Sequence, residues 1–139
     1  MALRMTLAGF ACLCATSLAA QEDATGKLTI ELNAATSEEA GCKMSFLILN
    51  GHDTAIDQAV FETVLFDAEG GVDRLTLFDF GALPPLRPRV RQFVVGQTSC
   101  EDLGQVLFNG AQTCSAEGDA DLCTDGLSVS SRIGIEVLG

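Results

Sequence analysis

The chain has 139 residues, with 8 Lys+Arg against 19 Asp+Glu, six Cys, eight Phe and neither Trp nor Tyr. That length gives one domain of ordinary size. A formal charge of −11 excludes a nucleic-acid binder held by general positive charge, and 47% hydrophobic with only 19% charged residues excludes a disordered chain.

Met1 to Ala20 reads in the order of a secretory signal peptide. Arg4 precedes an apolar run from Met5 to Leu18, and small residues lead into Gln21-Glu22-Asp23. The run is shorter than the roughly 20 residues of a membrane span, and no second such run follows. Ser17-Leu18-Ala19 fits the small-x-small cleavage rule. Cleavage is expected after Ala19 or after Ala20, leaving a single periplasmic or secreted domain over 21–139. Loss of Arg4 takes the formal charge from −11 to −12, a balance that keeps a protein soluble and repels anionic membranes and nucleic acids.

The signal carries away Cys12 and Cys14 and leaves Cys42, Cys100, Cys114 and Cys123. An even number in an exported domain predicts two disulfides, for which three pairings exist. Cys114 and Cys123 flank a Gly- and Asp-rich stretch and suit a local staple. Cys42 with Cys100 would then close a loop of about sixty residues, a closure worth about 4 kcal/mol in the chain-entropy account. A four-Cys zinc site is the competing reading, against which stands the absence of a close C-x2-C pair.

Period-two alternation in short runs dominates the rest. Lys27–Asn33 places Leu28, Ile30 and Leu32 on one face. Residues 36–40 have room for a helical turn at most. Lys43–Asn50 has Met44, Phe46 and Ile48 on one face and Leu47 and Leu49 on the other, which suggests a central strand with little solvent on either side. Val60–Asp67 and Val72–Phe80 flank Ala68-Glu69-Gly70-Gly71 and form the clearest hairpin. Gly81–Pro88 holds all three prolines and is expected to be irregular. Strands follow at Arg89–Val95 and Gln105–Asn109, with Asn109-Gly110 as a turn signal. Ala111–Asp125 reads as a stapled loop, and Leu127–Leu138 as one final strand.

These elements predict an all-β fold, an antiparallel two-sheet β-sandwich of about seven strands, with a jelly roll or small barrel as alternatives. The strand spacing over Lys27–Leu138 resembles immunoglobulin-like and fibronectin-type-III-like sandwiches, without their buried Trp or corner Tyr. The whole chain is similar to small exported proteins of Gram-negative alphaproteobacteria, a likeness that implies a periplasmic setting and no particular activity.

Few residues point to chemistry. His52 is the only histidine and sits in a polar turn, Asn50-Gly51-His52-Asp53-Thr54. There is no Gly-x-Ser-x-Gly elbow, and the disulfides would consume the thiols. Paired carboxylates could serve a minor hydrolase, but the chain lacks the Trp and Tyr platforms common in sugar sites. Glu117, Asp119, Asp121 and Asp125 offer hard oxygens for calcium, although Cys123 interrupts the EF-hand spacing. Glu62 shares a register with Val60, Val64 and Phe66, while the opposite register, Phe61-Thr63-Leu65, is equally apolar; an outward Glu62 is expected. Arg87, Arg89 and Arg91 concentrate three of the seven remaining cations beside the prolines. They either offset acids such as Glu62, Asp73 and Asp79 or form an anionic docking site. The expected function is a non-catalytic interaction module for an envelope protein, with Arg87, Arg89 and Arg91 as candidate contacts and no cofactor. A calcium or small-ligand protein using residues 117–125 is the alternative.

Overall fold

A computed structural model describes residues 23–118 and 120–139; the expected signal sequence lies outside them. Eight strands follow in order: β1 (Leu28–Glu38), β2 (Gly41–Asn50), β3 (Ile56–Asp67), β4 (Val72–Leu83), β5 (Arg89–Gly96), β6 (Leu103–Ala116), β7 (Ser128–Ser131) and β8 (Glu136–Leu138). They form two four-stranded sheets, ordered β5-β2-β1-β7 and β4-β3-β6-β8. The fold is therefore the expected all-β, two-sheet sandwich, and it does not close into a barrel.

The alternating residues of the two inner faces build the core. Leu28, Ile30 and Leu32 of β1 and Met44, Phe46 and Ile48 of β2 are fully buried against Phe61 and Leu65 of β3, Phe78 and Phe80 of β4, and Val106 and Phe108 of β6. Phe46 lies at its centre, with the rings of Phe78, Phe80, Phe93 and Phe108 at 5.8–6.0 Å. A core built on Phe leaves no hydroxyl or indole N–H to satisfy, unlike one built on Tyr or Trp.

The hairpin β3–β4 forms as the sequence predicts. Asp67 organises its turn: its carboxylate accepts the N–H groups of Glu69 (3.0 Å) and Gly71 (2.7 Å). Other boundaries move because cross-strand pairing overrides local composition. Residues 36–38 are strand rather than helical turn, since Thr36, Ser37 and Glu38 pair with Lys43, Cys42 and Gly41. Gly41 turns this corner with φ 138°, and a Cβ there would stand 2.0 Å from the Val95 carbonyl oxygen. β6 continues to Ala116 through residues that read as loop, because β3 pairs with it as far as Ile56↔Ala116. Asn109-Gly110 lies inside β6 as an irregularity between the pairs Glu62↔Gly110 and Thr63↔Phe108, and is not a turn.

The final run, 127–138, is two strands in different sheets. β7 pairs in parallel with β1, and β8 pairs in parallel with β6. The outer side of β2 is also more open than expected, with Leu47 at 37% exposure.

Both disulfides form with the expected pairing. Cys42–Cys100 joins β2 to the 3-10 turn Cys100–Asp102 that leads into β6 of the other sheet, and Cys114–Cys123 pins the turn Ala120–Cys123 to β6. Two cystines belong to a chain oxidised outside a reducing cytosol. Among the described residues, no helix is long and apolar enough to cross a membrane.

Candidate functional site

The proline segment is held by a residue that strand patterning does not single out. Asn50 ends β2 and is 1% exposed. Its Nδ2 donates to the carbonyls of Thr54 and Leu83, both at 2.9 Å, and its Oδ1 accepts the His52 N–H at 3.0 Å. Its own carbonyl accepts the Leu86 N–H at 2.8 Å, and Pro85 bridges back to it. One buried amide thus joins the end of β2, the loop after it and the end of β4. Burial of a side-chain amide demands this saturation. The next residue has to be Gly: a Cβ at Gly51 would stand 1.8 Å from the Ala24 carbonyl oxygen.

The anchored corner presents Leu86. Pro84, Pro85 and Pro88 have no N–H to donate, so the Leu86 amide is the tether that meets Asn50. It places Leu86 at φ 57°, a left-handed conformation that costs a residue with a Cβ roughly 1–2 kcal/mol. The Leu86 side chain gains no burial in return and is 63% exposed. Arg87 and Pro88 beside it are also exposed. Pro88 borders a shallow depression on the outer face of the first sheet, lined by Leu47, Leu49, Thr29 and Glu31.

The three arginines part company here. Arg89 and Arg91 share a face, as their spacing predicts, and sit opposite Ile48 and Phe46, core residues of β2. β5 is an edge strand, so an inward side chain there reaches the adjoining edge of β4. Arg91 donates from Nε to the Phe80 carbonyl at 2.8 Å and from Nη2 to the Ala82 carbonyl at 3.2 Å. Arg74 makes the reciprocal contact, donating to the Gly96 carbonyl at 2.9 Å and to Thr98 Oγ1 at 2.8 Å. These two guanidiniums cover carbonyls that β4 and β5 leave unpaired at the sandwich edge.

Arg89 reaches the adjacent Pro88 carbonyl at 3.1 Å. Arg87 makes no hydrogen bond or ion pair among the described residues. The acids expected to offset the cluster are engaged elsewhere. Asp73 pairs with Arg74 at 2.7 Å, Asp79 accepts from Gln58 and the Gly81 N–H, and Glu62 accepts from Asn109 Nδ2 at 2.5 Å. Glu62 is half-buried on the outer face, because Phe61, Thr63 and Leu65 take the core register.

His52 points its ring at the far staple: Nε2 lies 2.9 Å from the Leu122 carbonyl, which can only accept, so this nitrogen carries the proton. Near the start of the described chain, Asp23 is held below the usual carboxylate range by its hydrogen bonds with the side chain and N–H of Thr25. Of the proposed calcium ligands, Asp119 lies outside the described residues. The Asp121 carbonyl accepts the N–H groups of Thr124 and Asp125, closing a local turn. Among the described residues, no three His, Cys, Asp or Glu side chains stand close enough to share a metal ion.

No family model matches the chain, and neither a curated protein nor a solved structure matches it.

Proposed function

We propose that the chain is exported by its first twenty residues and works in the periplasm or outside the cell as a non-catalytic interaction module. The docking site is the corner Leu86-Arg87-Pro88-Arg89, and its partner offers a carboxylate beside an apolar side chain. The carrying observation is Leu86: an exposed leucine held at positive φ by a buried asparagine, next to an arginine that makes no hydrogen bond or ion pair among the described residues. Backbone strain with no compensating burial is characteristic of functional positions. Rigid prolines reduce the ordering cost of binding. A guanidinium on an otherwise acidic surface matches a carboxylate geometrically, and the Leu47–Leu49 depression beside Pro88 can receive an apolar group.

The test is site-directed photo-crosslinking in the cells that make the protein, with the probe at Leu86 and a control probe at Thr36 on β1. A discrete crosslinked species is expected from Leu86 alone, lost in Arg87→Glu and weakened by salt, since exposed charges are screened over about 8 Å at physiological ionic strength. Equal crosslinking from Thr36, or survival of the species in Arg87→Glu, rejects the docking site. N-terminal sequencing of the envelope form checks export: Ala20 or Gln21 is expected first, and an intact Met1 rejects it.

A further inference from the structure

The outer face of the β4-β3-β6-β8 sheet carries a second surface of different chemistry. The strand register aligns Leu75, Val64, Leu107 and Leu138 in one row across all four strands. Outward positions of a solvated sheet ordinarily alternate to polar residues. Here Leu75 is 59% exposed and Leu138 39%, and Leu77, the next outward residue of β4, is 47% exposed, while Val64 within the row is buried. An apolar band running the full width of a sheet is the kind of surface that marks an interaction site.

Apart from Asp73, which Arg74 pairs, the charges around this band share one sign. Glu62 lies opposite Leu77, Asp79 is the next outward residue of β4, and Glu136 precedes Leu138 by two on β8. Each accepts from a neutral amide: Asn109 for Glu62, Gln58 for Asp79 and Gln105 for Glu136. None belongs to the ion pairs found among the described residues, which are Lys43–Glu38, Arg74–Asp73 and Arg132–Glu31. Among the described residues the three carboxylates thus have no cationic partner beside the leucines.

We infer that this face binds a cationic amphipathic polypeptide segment, one whose apolar side chains cover the Leu75–Leu138 row while flanking Lys or Arg meet Glu62, Asp79 and Glu136. A second copy of this chain is the poorer occupant, because stacking the two faces would oppose like carboxylates on molecules of formal charge −11. The site is separate from the proline corner and takes a partner of the opposite charge.

The experiment titrates the oxidised protein with three synthetic peptides of equal length: Leu/Lys amphipathic, Leu/Glu of the same pattern, and Ser/Lys of the same charge. The Leu/Lys peptide is expected to bind at least about tenfold more tightly than either control. Leu75→Asp with Leu138→Asp should remove that preference, and Glu62→Gln with Asp79→Asn should weaken binding and flatten its salt dependence. Both pairs are solvent-facing substitutions; circular dichroism checks the fold, and Leu77→Ser serves as the milder variant of the same face.

Equal binding of the Ser/Lys peptide would reduce the effect to bulk charge and overturn the proposal. Unchanged binding by the Leu75→Asp/Leu138→Asp protein would overturn it too. So would sedimentation showing a wild-type dimer that those two substitutions dissociate, which would make the occupant a second copy.

Discussion

The proline corner and the β4/β5 edge adjoin, draw on one run of arginines, and use it in opposite ways. At the edge, Arg91 lies over the open side of β4 and its guanidinium is taken up by the Phe80 and Ala82 carbonyls. At the corner, four residues earlier, Arg87 follows a strained leucine and meets no acceptor among the described residues. A cluster of charge in a sequence is therefore not yet a site. Which of its members are available depends on where unpaired backbone carbonyls fall, and edge strands supply those carbonyls in rows.

Four substitutions test this contrast, read as shifts in urea midpoint at constant m-value. The largest effect belongs to the anchor. Asn50→Ala strips the Leu83 and Thr54 carbonyls and the His52 N–H of their partner, and is expected to cost about 3 kcal/mol and to abolish crosslinking from residue 86. A cost near zero would mean that the corner is not built on this amide. Next comes the edge. Arg91→Ala should cost about 2 kcal/mol, in the range for charge-assisted hydrogen bonds, whereas Arg87→Ala should stay within about 0.5 kcal/mol. Equal losses at both positions would erase the distinction between structural and available arginine. Last comes Leu86→Gly, which removes the positive-φ strain and is expected to stabilise the fold by up to about 1 kcal/mol while losing the partner. A destabilised Leu86→Gly protein would show that the exposed side chain serves the fold.

Much of the architecture was legible beforehand. Strand alternation from Leu28 to Leu32 and from Met44 to Ile48, the Asp67–Gly71 turn and the cysteine spacing all express short-range geometry or simple counting. The misread segments share one cause. Residues 111–116 and 36–38 look like loop or turn in isolation and are strand because β3 and β2 lie alongside them. In the run 127–138 the inward alternation was visible, but the crossing between sheets was not, since nothing in a period of two says which sheet a residue pairs with. The arginines were legible as a cluster; their division was not. Arg74, the second clamp, gave no signal at all, being a single cation in a hairpin strand.

That this is an all-β chain with two cystines and a strongly acidic surface is written in the residues alone, because alternation, cysteine parity and charge belong to them wherever they sit. What no local pattern reveals is that Asn50 is the keystone of the corner, that Arg91 is spent on the edge while Arg87 makes no hydrogen bond or ion pair among the described residues, and that Leu75, Val64, Leu107 and Leu138 from four strands meet in one row on an outer face. Each of those facts depends on how separate strands lie beside one another, and such contacts come into being only when the strands take their register.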